Sequence, residues 1–452
     1  MRYRIEKDLL GQRQVPAEAY YGIETLRGKE NFEITKRGIC RQMIKALAIV
    51  KKAAAKANVD ALNIDEKVGK AIMLACDEIL NGRLHGQFVT DLIQGGAGTS
   101  MNMNANEVIA NRANELLGGK KGVYDFVHPN DHVNFGQSTN DVIQTAGKIA
   151  IVKQLKKLQV ELKKLYNAYL NKATEFKDVI KMGRTHLQEA LPLRLGQEFS
   201  AYASALNRDM KRIDVAIEAL LEVNMGATAI GTSLNANEKY RKKVIYYLNK
   251  FSGEQIKPAK DLIDATRNFD TFGQASSTLK LLALNLSKTA SDLRLMASSG
   301  SNGFSEITLP HVQPGSSIMP GKYNPVVPEM VNQVCFYVIG LDVTITKAIE
   351  AGQLELNVFG PIILMSLFEQ ITTLRRATRT FHNLAISGLI ANTTKYKTDN
   401  SIYLITALSP HLGHEEACNV VNEAISSEKT IKQVLLDHHI LSEEIINMVL
   451  DC

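Results

Sequence analysis

Residues 151–170 read IVKQLKKLQVELKKLYNAYL, and this stretch decides the fold class. Its large apolar residues recur at spacings of three and four, at Leu155, Leu158, Leu162, Leu165 and Tyr169. Lys, Gln and Glu occupy many of the positions between them. Because an α-helix has about 3.6 residues per turn, this spacing places the apolar side chains on one face. The stretch therefore predicts a long amphipathic helix of a helical bundle.

A second run of the same kind has a wider apolar face. Its repeat consists of Leu279, Leu282, Leu286, Ala290, Leu293 and Ala297, with further apolar residues such as Leu281 and Leu284 beside it. A face that wide is typical of a helix covered on more than one side, either inside one chain or between subunits. Strand patterns are sparse, apart from short ones near residues 223–230. The predicted fold class is mainly α, with a long central bundle.

The length of the chain predicts several domains. It has 452 residues, whereas single cores stop growing at about 250–300 residues. The pattern of apolar periodicity and loop residues changes twice along the chain. We predict a mixed helical domain over residues 1–139, a central domain of long helices over 140–394, and a small C-terminal helical domain over 395–452. With 45% hydrophobic and 22% charged residues, the composition is that of an ordered globular protein.

Charge and cysteine content exclude several classes of function. The net charge is only +6, and the Lys and Arg clusters are short, such as Lys51–Lys52. We interpret these clusters as solvated helix faces, and we expect no nucleic-acid partner. The five cysteines are widely spaced without a CxxC pair, which argues against disulfides and zinc and favours reduced thiols in the cytoplasm. We expect no signal peptide, no membrane span and, from the isolated pair His411 and His414, no metal site.

Four segments rich in Gly, Ser, Thr, Asn and His stand out from the helical background. They are residues 95–107 (GGAGTSMNMNANE), 128–141 (HPNDHVNFGQSTND), 181–190 (KMGRTHLQEA) and 313–329 (QPGSSIMPGKYNPVVPE). The first two could each bind a carboxylate at the start of a helix. For the first segment, that helix is predicted to begin just after residue 107. For the first segment taken alone, a plain Gly turn with a Ser or Asn cap is the favoured interpretation, whereas in the second the cap and carboxylate-binding interpretations are compatible. The third contains a single histidine, His186, which is only suggestive by itself.

The fourth segment predicts a functional loop before the next helix. It contains neither a GxSxG elbow nor a histidine beside its serines, so it does not indicate a hydrolase triad. A serine near a lysine and backbone donors could still act as a base. This segment resembles the GSSxMPxKxNP signature of the fumarase/aspartase superfamily and matches it at every fixed position. The other three segments resemble the remaining blocks of that family in the same order, so the resemblance covers residues 8 to about 414.

Five segments resemble the aspartase branch of that family more than class II fumarases: residues 96–100, 137–141, 223–232, 325–336 and 350–358. The resemblance implies a carbon–nitrogen lyase that carries out reversible anti-elimination of ammonia from L-aspartate, giving fumarate through an aci-carboxylate. The alternative is a class II fumarate hydratase. A non-catalytic structural protein, as some lens crystallins are, is disfavoured because the signature residues are present. Three departures are Tyr323 in place of the usual Val, Phe135–Gly136, and a shortened C-terminus.

The resemblance also implies a role for each matching residue. The base would be Ser316, made acidic by Lys322 and by N–H groups of the loop. The residues that hold the β-carboxylate would be Thr99, Ser138, Thr139 and Ser317, and those that clamp the α-carboxylate would be Lys322 and Asn324. The residues that hold the amino group would be Asn140, Thr185 and His186.

Three further positions complete the expected site. Glu329 would orient His186, while Met319 and Leu356 would supply an apolar wall. The elimination would need neither a metal nor an organic cofactor. The resemblance further implies a three-domain fold whose central bundle tetramerises, with each active site shared by three subunits of a homotetramer.

Overall fold

The fold is that of a computed structural model, which describes residues 2–299, 303–315, 318–319, 321–392 and 404–450. The described chain is mainly helical, as predicted. Its first part contains strands β1 and β2 and four helices: β1 Tyr3–Asp8, β2 Gly11–Pro16, α1 Ile23–Asn31, α2 Arg41–Asp60, α3 Glu66–Leu80 and α4 Thr99–Leu116.

The middle part contains the longest helices. In chain order its elements are α5 Thr139–Glu175, β3 Ile180–Thr185, β4 Gln188–Arg194, α6 Leu195–Leu220, β5 Glu222–Val223, α7 Glu238–Ser252, β6 Lys257–Pro258, α8 Leu262–Arg267, α9 Asp270–Met296, β7 Ile307–Thr308, α10 Val326–Glu350, α11 Gly360–Phe381 and β8 Ile390–Ala391. The last part contains short helices only: α12 Ile405–Leu412, α13 His414–Ser427, α14 Ile431–Asp437 and α15 Glu443–Leu450.

The two predicted amphipathic stretches are confirmed as helices. The stretch at residues 151–170 lies inside the 37-residue helix α5, and its repeating leucines are almost wholly buried. The second stretch belongs to α9, where Leu279, Leu282 and Leu293 are buried. The additional apolar residues Leu281 and Leu284 are 40% and 48% exposed in the single chain. The wide face of α9 is therefore covered on one side only within this chain.

Two compact units can be distinguished by their internal contacts. The first comprises Met1–Val160, Asp209–Ala283 and Cys335–Arg375, and the second comprises Glu161–Arg208, Leu284–Val334 and Arg376–Cys452. Both units are therefore assembled from segments that are distant in sequence. The three predicted domains remain a prediction, because this division follows packing rather than continuous stretches of chain.

Small β-elements are more numerous than the sequence predicted. The region near residues 223–230 contains the two-residue strand β5, which pairs in parallel with β6. Two antiparallel hairpins, β1–β2 and β3–β4, were not predicted. Side chains on both faces of these hairpins are mixed in polarity, so the alternation that marks a half-buried strand is weak. The second hairpin matters because it carries the third polar segment.

One helix begins earlier in the chain than predicted. Helix α4 begins at Thr99, so most of the first polar segment is helical and only residues 95–98 form the turn before it.

Helix α10 is long and apolar enough to cross a bilayer by length and composition, with 39% of its most apolar window buried. Core helices of water-soluble proteins pass the same test. No other helix in the described ranges does so.

The α5 stripe yields a test of the packing. Replacing Leu158, whose side chain is wholly buried, by Ala leaves a cavity in the bundle. We expect Leu158→Ala to lower the free energy of unfolding by about 2–5 kcal/mol. The neighbouring variant Lys157→Ala, at an exposed position of the same helix, serves as the control. Equal urea unfolding midpoints for the two variants would show that the stripe does not form the core.

Candidate active site

The Gly-rich turn at residues 95–98 delivers Thr99 to the start of helix α4. Ala97 and Gly98 both adopt left-handed backbone conformations, with φ of 57° and 95°. The Thr99 hydroxyl donates to the carbonyl of Gly96 at 2.6 Å, and the side chain is exposed. Four N–H groups at the N-terminus of a helix have no partner within the helix, and the helix dipole is positive there. Thr99 therefore stands where a carboxylate is stabilised.

A reciprocal cap fixes the start of helix α5. The Ser138 hydroxyl accepts from the N–H of Asn140 at 3.2 Å, and the Asp141 carboxylate accepts from the N–H of Ser138 at 2.9 Å. The same carboxylate accepts from the N–H groups of Gly226 and Thr228, both at 3.1 Å. Burial raises the pKa of Asp141 to about 6, against the lowering effect of these backbone donors. The cap interpretation of this segment is confirmed, and the anion-binding interpretation stays a prediction.

Asn140 is held from both sides. Its side-chain amide donates to the carbonyl of Ala229 at 2.6 Å, and its own carbonyl accepts from the side chain of Asn224 at 3.2 Å. Ser138 and Thr139 line a cleft of about 770 Å³, opposite Thr228 and Ala229. The structure therefore places two of the predicted substrate-binding residues, Ser138 and Thr139, on the wall of one cleft.

Beneath this wall lies a buried lysine that the sequence analysis placed in solvent. Lys51 is 0% exposed, and its ammonium donates to Asn134 Oδ1 at 2.8 Å and to Gln137 Oε1 at 3.0 Å. Burial lowers the pKa of Lys51 to about 7. The interpretation of Lys51 as part of a solvated face is therefore wrong. A signal was available, because Lys51 follows Leu47 by four positions and precedes Ala54 by three, on the apolar stripe of α2.

The third polar segment forms the tip of the hairpin β3–β4. Thr185 pairs with Gln188 at the end of the ladder, and the two residues between them, His186 and Leu187, have φ of 54° and 61°. Two consecutive left-handed residues are the geometry of a type I′ turn, which favours Asn and Gly. Here both positions carry larger side chains, at a conformational cost of about 1 kcal/mol or more each. The turn leaves Thr185 and His186 exposed.

A buried ionic cluster fastens the base of this hairpin. Glu306 accepts from Lys181 at 2.8 Å and from Arg184, and Lys181 also contacts Glu198 at 2.8 Å. The Arg184 guanidinium lies 4.3 Å from the centre of the Phe304 ring. Breaking a buried pair of this kind costs about 3–5 kcal/mol, so the base of the hairpin is rigid although its tip is exposed.

The fourth segment closes on itself at its base. The side chain of Asn324 donates to the carbonyl of Gly315 at 2.7 Å, and a Cβ on Gly315 would lie 1.9 Å from the carbonyl oxygen of Lys322. Glycine is therefore required there. The ring of Tyr323 stacks on His311, with centroids 3.7 Å apart. Lys322 and Met319 are exposed, and Glu329 lies in the first turn of α10.

The predicted residues fall into two groups within one chain. The first compact unit contains Thr99, Ser138, Thr139, Asn140 and Leu356, and the second contains Thr185, His186, Met319, Lys322, Asn324 and Glu329. Ser316 and Ser317 lie outside the described residues. Among the described residues, no hydrogen bond joins the side chains of Glu329 and His186. The roles expected for all these residues stay predictions.

The described residues form no evident site for a metal ion. No group of three or more His, Cys, Asp and Glu side chains in the described ranges is close enough to hold a metal ion. His414 instead contacts Cys418, with Nε2 and Sγ 3.8 Å apart.

Comparison with protein families and curated relatives shows which proteins this chain resembles. Residues 11–340 match a family described as lyase, and residues 404–452 match the family of the fumarase C C-terminus. The aspartate ammonia-lyase of Bacillus subtilis is 51% identical over 99% of this chain and 95% of its own length. That of Helicobacter pylori is 48% identical over 98% and 95%.

Solved structures confirm the predicted fold. A fumarate lyase:delta crystallin from Brucella melitensis, bound to cobalt, superposes with a TM-score of 0.97 at 45% identity, covering 100% of this chain and 98% of that one. A class II fumarase from Schistosoma mansoni superposes with a TM-score of 0.96 at 34% identity, covering 99% and 98%. The chain belongs to the fumarase/aspartase superfamily of lyases, in which it groups with the aspartate ammonia-lyases.

Proposed function

We propose that the protein catalyses the reversible elimination of ammonia from L-aspartate to give fumarate. The observation that carries this proposal is near-full-length identity of 46% to 51% to curated aspartate ammonia-lyases from several bacteria. The solved class II fumarase is more distant, at 34%. Hydration of fumarate to malate is therefore the less favoured alternative.

The chemistry poses an electrostatic problem. When a base removes a proton from Cβ of aspartate, the electron pair of the C–H bond moves onto the adjacent carboxylate, which becomes a doubly charged aci-carboxylate. The pair then returns to form the C=C bond while the C–N bond breaks and ammonia leaves. Preorganised donors around that carboxylate act mainly in the transition state, where a single donor can contribute about 3–4 kcal/mol.

The starts of helices α4 and α5 supply such donors. Thr99 and the Ser138–Thr139 pair present hydroxyls at the positive ends of two helix dipoles. The buried carboxylate of Asp141 holds the second pair in place through three backbone N–H groups. We propose that these three hydroxyls, with Ser317, bind the β-carboxylate.

The signature loop, residues 313–325, supplies the base and the second carboxylate clamp in this proposal. Ser316 removes the proton, and Lys322 and Asn324 bind the α-carboxylate. Asn324 already ties the two ends of the loop together through Gly315. The loop can therefore close over substrate as a unit, which excludes water from the charged intermediate.

In this proposal, the amino group of the substrate is bound by Asn140, Thr185 and His186. The rigid ionic base of the β3–β4 hairpin keeps the exposed tip available for contact beyond its own unit. Glu329 is proposed to orient His186 and thereby set its tautomer. Since these two side chains do not meet within one described chain, the pairing is proposed to form between subunits. Met319 and Leu356 provide the apolar wall.

A homotetramer in the cytoplasm, with each site shared by three subunits, completes the proposal. Exposed apolar residues occur along the long helices α9 and α10: Leu281, Leu284, Phe336, Tyr337 and Val343. Burying such residues against other copies of the same helices would contribute about 25 cal/mol for each Å² of apolar surface. The apolar character of α10 then belongs to a protein interface rather than to a membrane span.

The reaction is tested by ultraviolet absorbance of fumarate. We expect purified protein to form fumarate from L-aspartate, and to consume fumarate only when ammonium is present. Malate formation from fumarate without ammonium would instead support the hydratase. Replacement of Ser316 by Ala should abolish turnover, because no base remains, whereas Ser426→Ala, at an exposed site on α13, should keep full activity. Near-normal turnover of Ser316→Ala would remove the serine from its role.

Subunit sharing is tested by mixing two inactive variants. Ser316→Ala and His186→Ala are each expected to be inactive as homotetramers. If the two residues reach one site from different subunits, unfolding and refolding them together restores some intact sites. We therefore expect the refolded mixture to turn over L-aspartate, while each variant refolded alone stays inactive. An inactive mixture that forms mixed tetramers by native mass spectrometry would contradict shared sites.

A further inference from the structure

The geometry points to Lys51 as a positioning residue for substrate: its buried ammonium orients the amides beneath Thr139, so that the Thr139 hydroxyl donates its hydrogen into the cleft. This inference rests on the proposed function and extends it to a residue outside the four polar segments. Lys51 lies in the middle of helix α2, below the wall formed by residues 134–139.

The hydrogen bonds of Lys51 have a fixed direction. An ammonium has three donors and no acceptor, so each neighbour of Lys51 must present an oxygen. Asn134 therefore turns Oδ1 towards Lys51, at 2.8 Å, and its Nδ2 towards the carbonyl of Gln137, at 3.4 Å. Gln137 likewise turns Oε1 towards Lys51, at 3.0 Å, and donates through Nε2 to the carbonyl of Val133 at 2.9 Å.

The orientation of the Asn134 amide determines the hydrogen bonding of Thr139 through the amide of Asn102. The Oδ1 of Asn134 also accepts from Nδ2 of Asn102 at 3.3 Å, which sets the orientation of the buried Asn102 amide. The same Nδ2 donates to the hydroxyl oxygen of Thr139 at 3.3 Å. Because that oxygen accepts from Asn102, the hydroxyl hydrogen is free to point at a carboxylate in the cleft.

The charge of Lys51 adds to this effect. In the described part of the chain no carboxylate forms an ion pair with its ammonium, although Asp141 on α5 and Cys76 on α3 face it at longer range. A buried cation without a close partner destabilises the folded protein. Such a cation is retained where it serves an anion that arrives later. Its field acts through a medium of low dielectric constant, and is therefore felt by a carboxylate bound at Thr139.

The next residue shows what a structural lysine looks like in the same helix. Lys52 forms an ion pair with Asp77 at 2.5 Å, and its ammonium lies 4.6 Å from the centre of the Phe251 ring. Lys52 thus has a charged partner and an aromatic partner on a partly exposed face. It provides a control that matches Lys51 in residue type and in position along the helix.

The first experiment compares Lys51→Met with Lys52→Met in the intact protein. Calorimetric titration with succinate, a dicarboxylate without an amino group, measures carboxylate binding apart from turnover. We expect Lys51→Met to weaken succinate binding and to lower kcat/KM for L-aspartate by roughly tenfold or more, since a charge-assisted interaction is lost. Lys52→Met should match the wild type in both. Equal succinate affinities for Lys51→Met and the wild type would overturn the inference.

A second variant keeps the test decisive if Lys51→Met does not fold. Asn102→Asp replaces the donor that faces Thr139 by an acceptor. We expect Asn102→Asp to lose succinate affinity by roughly tenfold or more while its circular dichroism spectrum shows the helix content of the wild type. A purely structural role for this network would leave succinate binding intact. That outcome would contradict the relay.

Proton uptake supplies a readout that a structural role would not change. Burial lowers the pKa of Lys51 to about 7, and a bound carboxylate must raise it again. Above neutral pH, where Asp141 with its pKa of about 6 is ionised, succinate binding should take up protons in the wild type and in Lys52→Met, but not in Lys51→Met. Titrations in buffers of different ionisation enthalpy measure this uptake.

The two proposals fail in different ways. Wild-type protein that binds succinate but leaves L-aspartate unchanged would sink the proposed function alone. If the wild type turns over L-aspartate, and Lys51→Met shows unchanged succinate binding and proton uptake, only the role of Lys51 is contradicted.

Discussion

The constraint on which the rest of the structure depends is that donors must be held in place before charge appears. In the proposed reaction, a carboxylate gains a second negative charge, and water cannot reorganise around it in a closed site. The described chain meets this need with the starts of two helices, at Thr99 and at Ser138–Thr139. The buried Asp141 carboxylate and three backbone N–H groups hold the second of these starts rigid.

The same need explains features that reduce stability. A wholly buried lysine beneath Thr139 and two left-handed residues at the tip of the β3–β4 hairpin each have a conformational or electrostatic cost. Both lie beside residues proposed to bind substrate. The buried leucine stripe of α5, formed by Leu155, Leu158, Leu162 and Leu165, offsets these costs elsewhere in the molecule. Part of the strain and uncompensated charge of the described chain thus lies in the segments that the proposed reaction uses, although other left-handed residues, such as Leu62 and Tyr124, lie elsewhere.

Periodicity and motif together predicted the fold class, the two longest amphipathic stretches and the family. They did so because leucine spacing and an eleven-residue signature are local in sequence. The β3–β4 hairpin could not be predicted, because its strands do not alternate clearly and its turn uses His186 and Leu187 where Asn and Gly are typical. Lys51 was missed because a lysine pair usually marks a surface, although its position on the apolar stripe of α2 indicated burial, which its contacts with Asn134 and Gln137 now show. We propose that residues from the two units reach one site through assembly of subunits, which the local sequence of a single chain does not reveal.

The central claim is that the site stabilises the doubly charged carboxylate rather than the substrate. The most direct measurement is the affinity for 3-nitropropionate in its deprotonated nitronate form, which places two negative oxygens where the aci-carboxylate would carry them. A site complementary to that intermediate should bind the nitronate at least about a hundredfold more tightly than succinate. Affinities for the two compounds that agree within a few-fold would contradict the account, because the donors would then recognise an ordinary carboxylate only.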